Sequence, residues 1–477
     1  MSTTTIESNA VKSNRWYLSS APIVRALVHL CVPMAAGMIV GAVYNVINAG
    51  FIGSQHNTSL LAAITFGIPL LGLVMAIGGV FGVGGSSLIS RLLGASEKDA
   101  TKASEIKHVS SFSVWGTVIV GAILAIIGLI FVHPLVALLG ANASAAAATT
   151  SYVTVFLCFV PVLALAFCLE QLVRAEGAAR QSMIGLIAST IGNLVFDVLF
   201  ILVLHWGVAG AALSIGLSNV ISVLYYGIWL QRHSENVSLS PRWFTLRRSI
   251  LKPVFGVGSG ELIQSAFLIV TTLVLNNLAA IYGDGPLAAM GVAVRVAQIP
   301  EFLVMGVTIG VLPLLAYSFG KGDRARLRSS LRASAVTVGA ITLVFGAVVF
   351  LFRDQVLMLF SNSSSVLAIG VVVLTAQLVA AVANGFTGLI TSLFQAAGRS
   401  VPSIVLSMSQ GILFIPIVIL GNLWFHLDGI IWSLTVSEVL VFLVGIGMWL
   451  ATRRSIDRAL ADGTPERAEE VLEQAEA

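Results

Sequence analysis

Residues 232–252 read RHSENVSLSPRWFTLRRSILK, and this stretch divides the chain in two. Arg232, Arg242, Arg247, Arg248 and Lys252 make it basic, and Pro241 breaks any helix that would run through it. On both sides the sequence turns apolar for about two hundred residues. Over the 477 residues, 57% are hydrophobic and only 10% charged, with a mean hydropathy of +0.96. Soluble domains usually carry about a quarter charged residues. A surface this short of charge could not be kept in water, so the solvent for most of this chain is lipid.

Long apolar segments fall near 23–51, 59–90, 110–132, 149–171, 182–204 and 207–231 before the basic stretch. After it they fall near 252–281, 286–318, 332–352, 366–392, 402–422 and 428–451. Each holds the roughly 20 apolar residues that a membrane crossing needs. The segments near 59–90 and 286–318 exceed one bilayer thickness, which implies tilt or extension beyond the hydrocarbon. The first twenty residues are polar, and the apolar run after them is too long for a cleaved signal peptide. It reads as the first membrane helix.

The basic residues fix an orientation. Lys12, Arg15 and Arg25 precede or open the first segment, and Arg91, Lys98, Lys102 and Lys107 follow the second. Arg174 and Arg180 follow the fourth, and the five of the central stretch follow the sixth. Lys321, Arg324, Arg326, Arg328 and Arg332 come after the eighth, Arg399 after the tenth, and Arg453, Arg454, Arg458 and Arg467 after the twelfth. Of the 26 Lys and Arg, only Arg353 lies on the opposite set of loops and only Arg295 within a helix. This asymmetry places both termini and the linker in the cytoplasm.

The two halves resemble each other. At an offset of 226, Leu61-Ala62-Ala63 matches Leu287-Ala288-Ala289, Gly84 matches Gly310, Gly94 matches Gly320, and Glu97-Lys98 faces Asp323-Arg324. At an offset of 219, Gly210, Ser214, Ser218 and Val220 match Gly429, Ser433, Ser437 and Val439. Both halves begin on the same side, so they are parallel repeats about an axis along the membrane normal. Transporters of this build bind substrate between the halves and rock them. The fold class expected is all-α integral membrane, with twelve transmembrane helices in two pseudo-symmetric six-helix lobes. The expected organisation is a cytoplasmic tail over 1–22, one lobe over 23–231 and a cytoplasmic linker over 232–251. A second lobe follows over 252–452, and a solvated, partly helical cytoplasmic tail over 453–477.

Cys31, Cys158 and Cys168 all sit inside apolar runs with no metal spacing, so they read as small core residues. No GxxxxGK[ST] loop occurs, and no HExxH, GxSxG or CxxC pattern suggests a membrane enzyme. No cofactor or metal is expected, and the energy source is then an ion gradient. One proton moved through about 100 mV supplies roughly 2.3 kcal/mol. At about 1.4 kcal/mol per tenfold, that sustains a substrate gradient of some forty- to fiftyfold.

The segment Pro33…Tyr44-Asn45-Val46-Ile47-Asn48…Phe51-Ile52-Gly53 resembles the first helix of the multidrug and toxin extrusion family. So does Phe81-Gly82-Val83-Gly84-Gly85-Ser86-Ser87…Gly94 in the second helix. Arg174-Ala175-Glu176-Gly177 with Asn193…Asp197, Gly207-Val208-Ala209-Gly210-Ala211-Ala212, and Pro313…Tyr317-Ser318-Phe319-Gly320 are similar to later parts of the same family pattern. The resemblance spans about residues 23–452. It implies ion-coupled antiport of amphipathic, often cationic, organic compounds. Members usually carry an aspartate where this chain has Asn48, which cannot exchange a proton, and often Gln and Asn where Leu312 and Ser318 stand.

An ionisable group at the centre of a membrane helix costs about 2.5–3.5 kcal/mol on insertion scales, so each is a functional candidate. Asp197 is the first, four residues after Asn193 and on the same helical face. It reads as a carboxylate that exchanges an ion as water access changes, or as a structural aspartate bonded to a neighbouring helix. Asn193, Asn48, Tyr44 and Asn45 are its expected hydrogen-bonding neighbours. Arg295, Glu301 and Glu261 are candidates for lining the cavity or for pairing between helices, and Glu438 is a further one. Glu170 and Glu176 fall near a cytoplasmic helix end, where water is close. Pro33 breaks the backbone ladder of the first helix and is a candidate hinge or a static kink.

The expected coupling ion is H+ or Na+, and the expected partners are a small organic substrate and membrane lipid, with no nucleic acid and a monomeric chain. Alternatives are a flippase for a lipid-linked saccharide, which would need a strongly cationic cavity, and an exporter of one metabolite. A receptor or channel is a further class, but no segment looks like a selectivity filter.

Overall fold

The structure is a computed structural model that describes residues 13–54, 58–139, 143–282, 284–358 and 364–462. Within those helices, the side chains at 45, 46, 48–54, 58–66, 68, 143–145, 276, 279, 280, 284–289, 291–295, 364–366, 368, 461 and 462 fall outside the description.

Apolar runs of this length in lipid leave the backbone no partner but itself, so they coil. The described residues contain helices and turns and no strand. A short α1 (Asn14–Ser19) precedes α2 (Ile23–Ser54), α3 (Thr58–Ala95), α4 (Thr101–Ile130) and a short α5 (Val132–Leu138). Then come α6 (Ala143–Ala175), α7 (Ala179–Asp197) continued by a π turn (Val198–Val203), and α8 (Gly207–His233). The linker keeps one 3₁₀ turn, Pro241–Trp243, with proline at its first position. The second half holds α9 (Arg248–Ala280), α10 (Asp284–Lys321), α11 (Arg324–Leu351), a short α12 (Arg353–Met358), α13 (Ser364–Ala396) and α14 (Ser400–Asp462).

The long α14 is two crossings. Its apolar stretch Ser400–Leu460 runs 61 residues, about 90 Å at 1.5 Å per residue, against a hydrocarbon core of about 30 Å. The chain turns at His426, whose φ of 52° is left-handed, between the two segments expected near 402–422 and 428–451. Twelve crossings result. The last helix continues to Asp462, so the first part of the expected tail is an extension of it.

The two over-long segments lie where the lobes meet. Both α3 and α10 run 38 residues and are the most buried of the membrane helices. Glycine lets their backbones approach the other lobe, as small residues do wherever membrane helices pack closely. A Cβ on Gly84 of α3 would collide with the Val254 carbonyl of α9, and one on Gly258 of α9 with the Val80 carbonyl of α3. The second half mirrors this: Gly306 and Gly310 of α10 press on Ala35 and on Leu30 and Cys31 of α2. The pairs α3–α9 and α10–α2 are thus equivalent across the repeat, as two pseudo-symmetric lobes require. Outward-facing Val24, Ile123, Val195, Leu268 and Val344 are all more than half exposed. In water such a belt would aggregate; in lipid it is the ordinary surface.

Candidate functional site

The carboxylate that the sequence singles out sits at a change of helix type. The α-helical hydrogen bonding of α7 ends at Asp197, and the wider π turn Val198–Val203 follows. A π turn inserts a residue into the helical repeat and re-aims the side chains around it. Beyond it the chain reverses through His205 and Gly207, both left-handed, at φ 55° and 56°.

Asn193 and Asp197 lie one turn apart and are both buried. Small residues on α8 (Gly210, Ala211, Ala212 and Gly216) are buried too and let that helix come close. It brings Ser214 and Ser218, also one turn apart. The Asn193 amide donates to Ser218 Oγ at 3.4 Å, while the Ser218 hydroxyl donates to the Ile215 carbonyl at 2.9 Å. The Ser214 hydroxyl lies between the Gly210 carbonyl, 2.9 Å away, and the Asp197 carboxylate. It has one proton to give.

From α2, the Tyr44 hydroxyl donates to Asn193 Oδ1 and lies 3.4 Å from Asp197 Oδ2. Again one proton faces two acceptors. Tyr152 of α6 is buried within electrostatic reach of Asp197. Four helices (α2, α6, α7 and α8) therefore surround one carboxylate with hydroxyls and an amide and with no described cation. Of the expected neighbours, Tyr44 and Asn193 are in place. The side chains of Asn45 and Asn48 lie outside the described residues, and so does that of Arg295.

Glu261 and Glu301 stand in the other lobe with different surroundings. Glu261 on α9 accepts from Gln395 Nε2 of α13 at 3.1 Å, and a Cβ on Gly79 of α3 would come 3.1 Å from its Cβ. It therefore lies at the seam between lobes. Glu301 on α10 is half-buried and within electrostatic reach of Glu438 on α14. Glu438 Oε2 is buried without a hydrogen-bond partner among the described residues. Among the described residues no group of three or more His, Cys, Asp or Glu is arranged to hold a metal ion.

Pro33 lies inside α2, which the structure draws as one helix. Its neighbour Met34 is fully buried, with its sulfur 3.9 Å from an Arg174 guanidinium nitrogen. Arg174 in turn pairs with Glu170 at 2.8 Å, and Glu170 accepts from Ser182 at 3.3 Å. Glu170 is 8% exposed, so nearness to water does not account for it, as the sequence suggests it would; the i,i+4 arginine does. Ser214 and Ser218 were visible in the sequence only as repeat positions. Tyr152 and Gln395 carry no sequence signal that separates them from ordinary helix residues.

The MatE family model matches residues 33–199 and 260–420 of this chain. A multidrug export protein, MepA, from Staphylococcus saprophyticus is 33% identical over 446 residues, covering 93% of this chain and 98% of that protein. MepA of Staphylococcus aureus is 33% identical over 431 residues, covering 90% and 94%. Among solved structures, MATE in a straight conformation superposes with a TM-score of 0.85 at 24% identity, over 94% of this chain and 99% of that one. An outward-facing conformation of a multidrug resistance MATE family transporter gives a TM-score of 0.83 at 24% identity, over 93% and 98%. This chain shares the twelve-helix, two-lobe fold of these solved structures.

Proposed function

This chain belongs to the MatE family, and from that membership we propose that it is a secondary-active antiporter exporting amphipathic, often cationic, organic compounds across the cell's inner membrane in exchange for H+ or Na+. It is a transporter and not an enzyme. The observation that carries the mechanism is the Tyr44–Asn193–Asp197 cluster, a buried carboxylate whose surrounding donors can be reassigned.

With Asp197 ionised, the Tyr44 and Ser214 hydroxyls turn toward it, which satisfies the charge without a fixed cation. When a proton or Na+ occupies the carboxylate, Tyr44 returns its hydrogen bond to Asn193 and Ser214 to the Gly210 carbonyl. Binding at Asp197 is thereby coupled to how α2 seats against α7 and α8. Pro33, lower on α2, removes one rung of the ladder and serves as the hinge. Asn48 supplies no second proton, so one coupling ion per cycle is the expected ratio. Glu261 and Glu301 line the substrate cavity between the lobes.

The carboxylates described in the spans suit a cationic substrate. A lipid-linked pyrophosphate would need the opposite charge, which disfavours a flippase. Both termini and the linker face the cytoplasm, and the functional unit is the monomer, with lobes over 23–231 and 252–452.

Efflux of a fluorescent organic cation from energised vesicles tests the reading, with wild type, Asp197→Asn and wild type plus uncoupler compared at matched expression. Uncoupler-sensitive efflux that Asp197→Asn abolishes is the expected result. Unchanged efflux in the variant would move coupling to Glu261 or Glu301. No efflux of any cation in a broad panel would reduce the function to export of one metabolite or to lipid flipping.

A further inference from the structure

The polar contacts that cross between lobes gather at the end where the basic loops lie. There the Glu97 carboxylate, just beyond α3, meets Lys321 Nζ of α10 at 2.6 Å and accepts from the Tyr317 hydroxyl. The backbones touch beside it. A Cβ on Gly94 would collide with the Tyr317 carbonyl, and one on Gly320 with the Arg91 carbonyl.

The short α1 lies across the same seam. Its Arg15 reaches the first lobe, donating to Ser96 Oγ at 3.1 Å and to the Leu93 carbonyl at 3.5 Å. Leu18 is fully buried against Gly177 of the α6–α7 loop. From the second lobe, Arg326 of α11 grips the end of α1. Its Nε donates to the Leu18 carbonyl at 2.7 Å, and its two terminal nitrogens to the Ala21 and Tyr17 carbonyls at 2.8 and 2.9 Å. A guanidinium cannot lose its charge, and three converging carbonyls at a helix end match its fork. By contrast, Arg324 and Arg328 hold Asp457 at 2.6 and 2.9 Å within one lobe.

We propose that Glu97, Lys321 and Arg326 form the gate that keeps the basic end of the inter-lobe seam shut, with α1 as its bolt. The inference rests on the transport reading, because a gate is needed only if the lobes separate in turn at each end. Release requires one lobe to let go of α1 and of Glu97 together, so the seam opens as a two-state event and not gradually.

The test is a single-cysteine reporter at Ser87→Cys, with Cys31, Cys158 and Cys168 replaced by alanine. Ser87 is 1% exposed, and its hydroxyl donates across the seam to the Gln395 carbonyl. Its labelling by a water-soluble maleimide in lipid nanodiscs reports opening. Arg326→Gln and Glu97→Gln should each speed labelling about tenfold, the population change that follows loss of charge-assisted hydrogen bonds. Gly320→Ala should do the same without altering charge. Arg328→Gln should leave the rate unchanged, and Glu97→Lys combined with Lys321→Glu should restore protection. Size exclusion of each variant checks that it is folded.

Unchanged labelling in Arg326→Gln, Glu97→Gln and Gly320→Ala would overturn the gate, and so would equal acceleration by Arg328→Gln. Labelling requires no transported compound. Faster labelling in a chain that moves no organic cation would keep the gate and remove only the organic-cation reading, leaving export of one metabolite or lipid flipping. Efflux lost in Arg326→Gln with labelling unchanged would do the reverse.

Discussion

The Tyr44 hydroxyl on α2 stands 3.4 Å from Asp197 Oδ2 on α7 while donating to Asn193 Oδ1 one turn below. A single hydroxyl thus connects the Pro33-bearing helix to the buried carboxylate. Tyr44→Phe keeps the ring and removes that hydroxyl. A hydrogen bond is worth about 0.5–1.5 kcal/mol net, so ion-driven efflux should fall about two- to tenfold. The fall should be largest in the ion-driven component and small in downhill leak, measured as initial efflux rates with and without the imposed gradient. Equal loss of both would mean that Tyr44 only packs.

The inter-lobe glycines predict a position-specific pattern. At Gly258 a Cβ would meet the Val80 carbonyl, whereas at Gly41 and Gly447 nothing lies within 4 Å. Overpacking of this kind costs about 1–3 kcal/mol. Gly258→Ala should therefore lower the melting temperature of the purified protein by several degrees. Gly41→Ala and Gly447→Ala should leave it unchanged or raise it, because alanine is the better helix former. Differential scanning fluorimetry in one detergent separates the three.

Much of this was legible beforehand, for physical reasons that differ by scale. Crossings were legible because lipid demands about 20 apolar residues each. The repeat was legible because Gly94 and Gly320 must both be small: they occupy equivalent positions, and each presses on the other's helix. Asp197 stood out as a charge in an apolar run. Of its surroundings Tyr44 and Asn193 were expected, but Tyr152, Ser214 and Ser218 were not, since they look like ordinary helix residues until four helices converge. The Arg326 grip on α1 was hidden for another reason. It joins a side chain to backbone carbonyls some 300 positions away, and carbonyls have no sequence signature.

The buried pair Glu170–Arg174 gives a stability prediction. Arg174 is 3% exposed and Glu170 8%, at 2.8 Å. Removing one partner of such a pair strands the other charge and costs about 3–5 kcal/mol. Glu170→Gln should thus lower thermal stability more than Arg328→Gln, which breaks only an exposed pair of about 0–1 kcal/mol. Comparable losses in the two would show that water reaches Arg174 when Glu170 is gone.

Glu176 predicts a pH dependence at the basic end. Burial pushes its carboxyl up from 4.5 to about 7, the Ser234 hydroxyl pulls it down, and the neighbouring Glu235 charge adds to the rise. A group whose folded value lies above its unfolded one binds more protons folded than unfolded between the two. Its contribution is then fully present below about pH 4.5, declines as pH rises toward 7, and is lost above that. The side chain lines a cleft of about 540 Å³ with Arg15, Trp229, His233 and Glu235, so water screens part of the effect, leaving about 1–2 kcal/mol. Glu176→Gln should accordingly melt higher than wild type at pH 7.5, with the difference shrinking toward zero at pH 4.5. A difference that stays constant across that range would mean that Glu176 acts through its hydrogen bond to Ser234 and not through its charge.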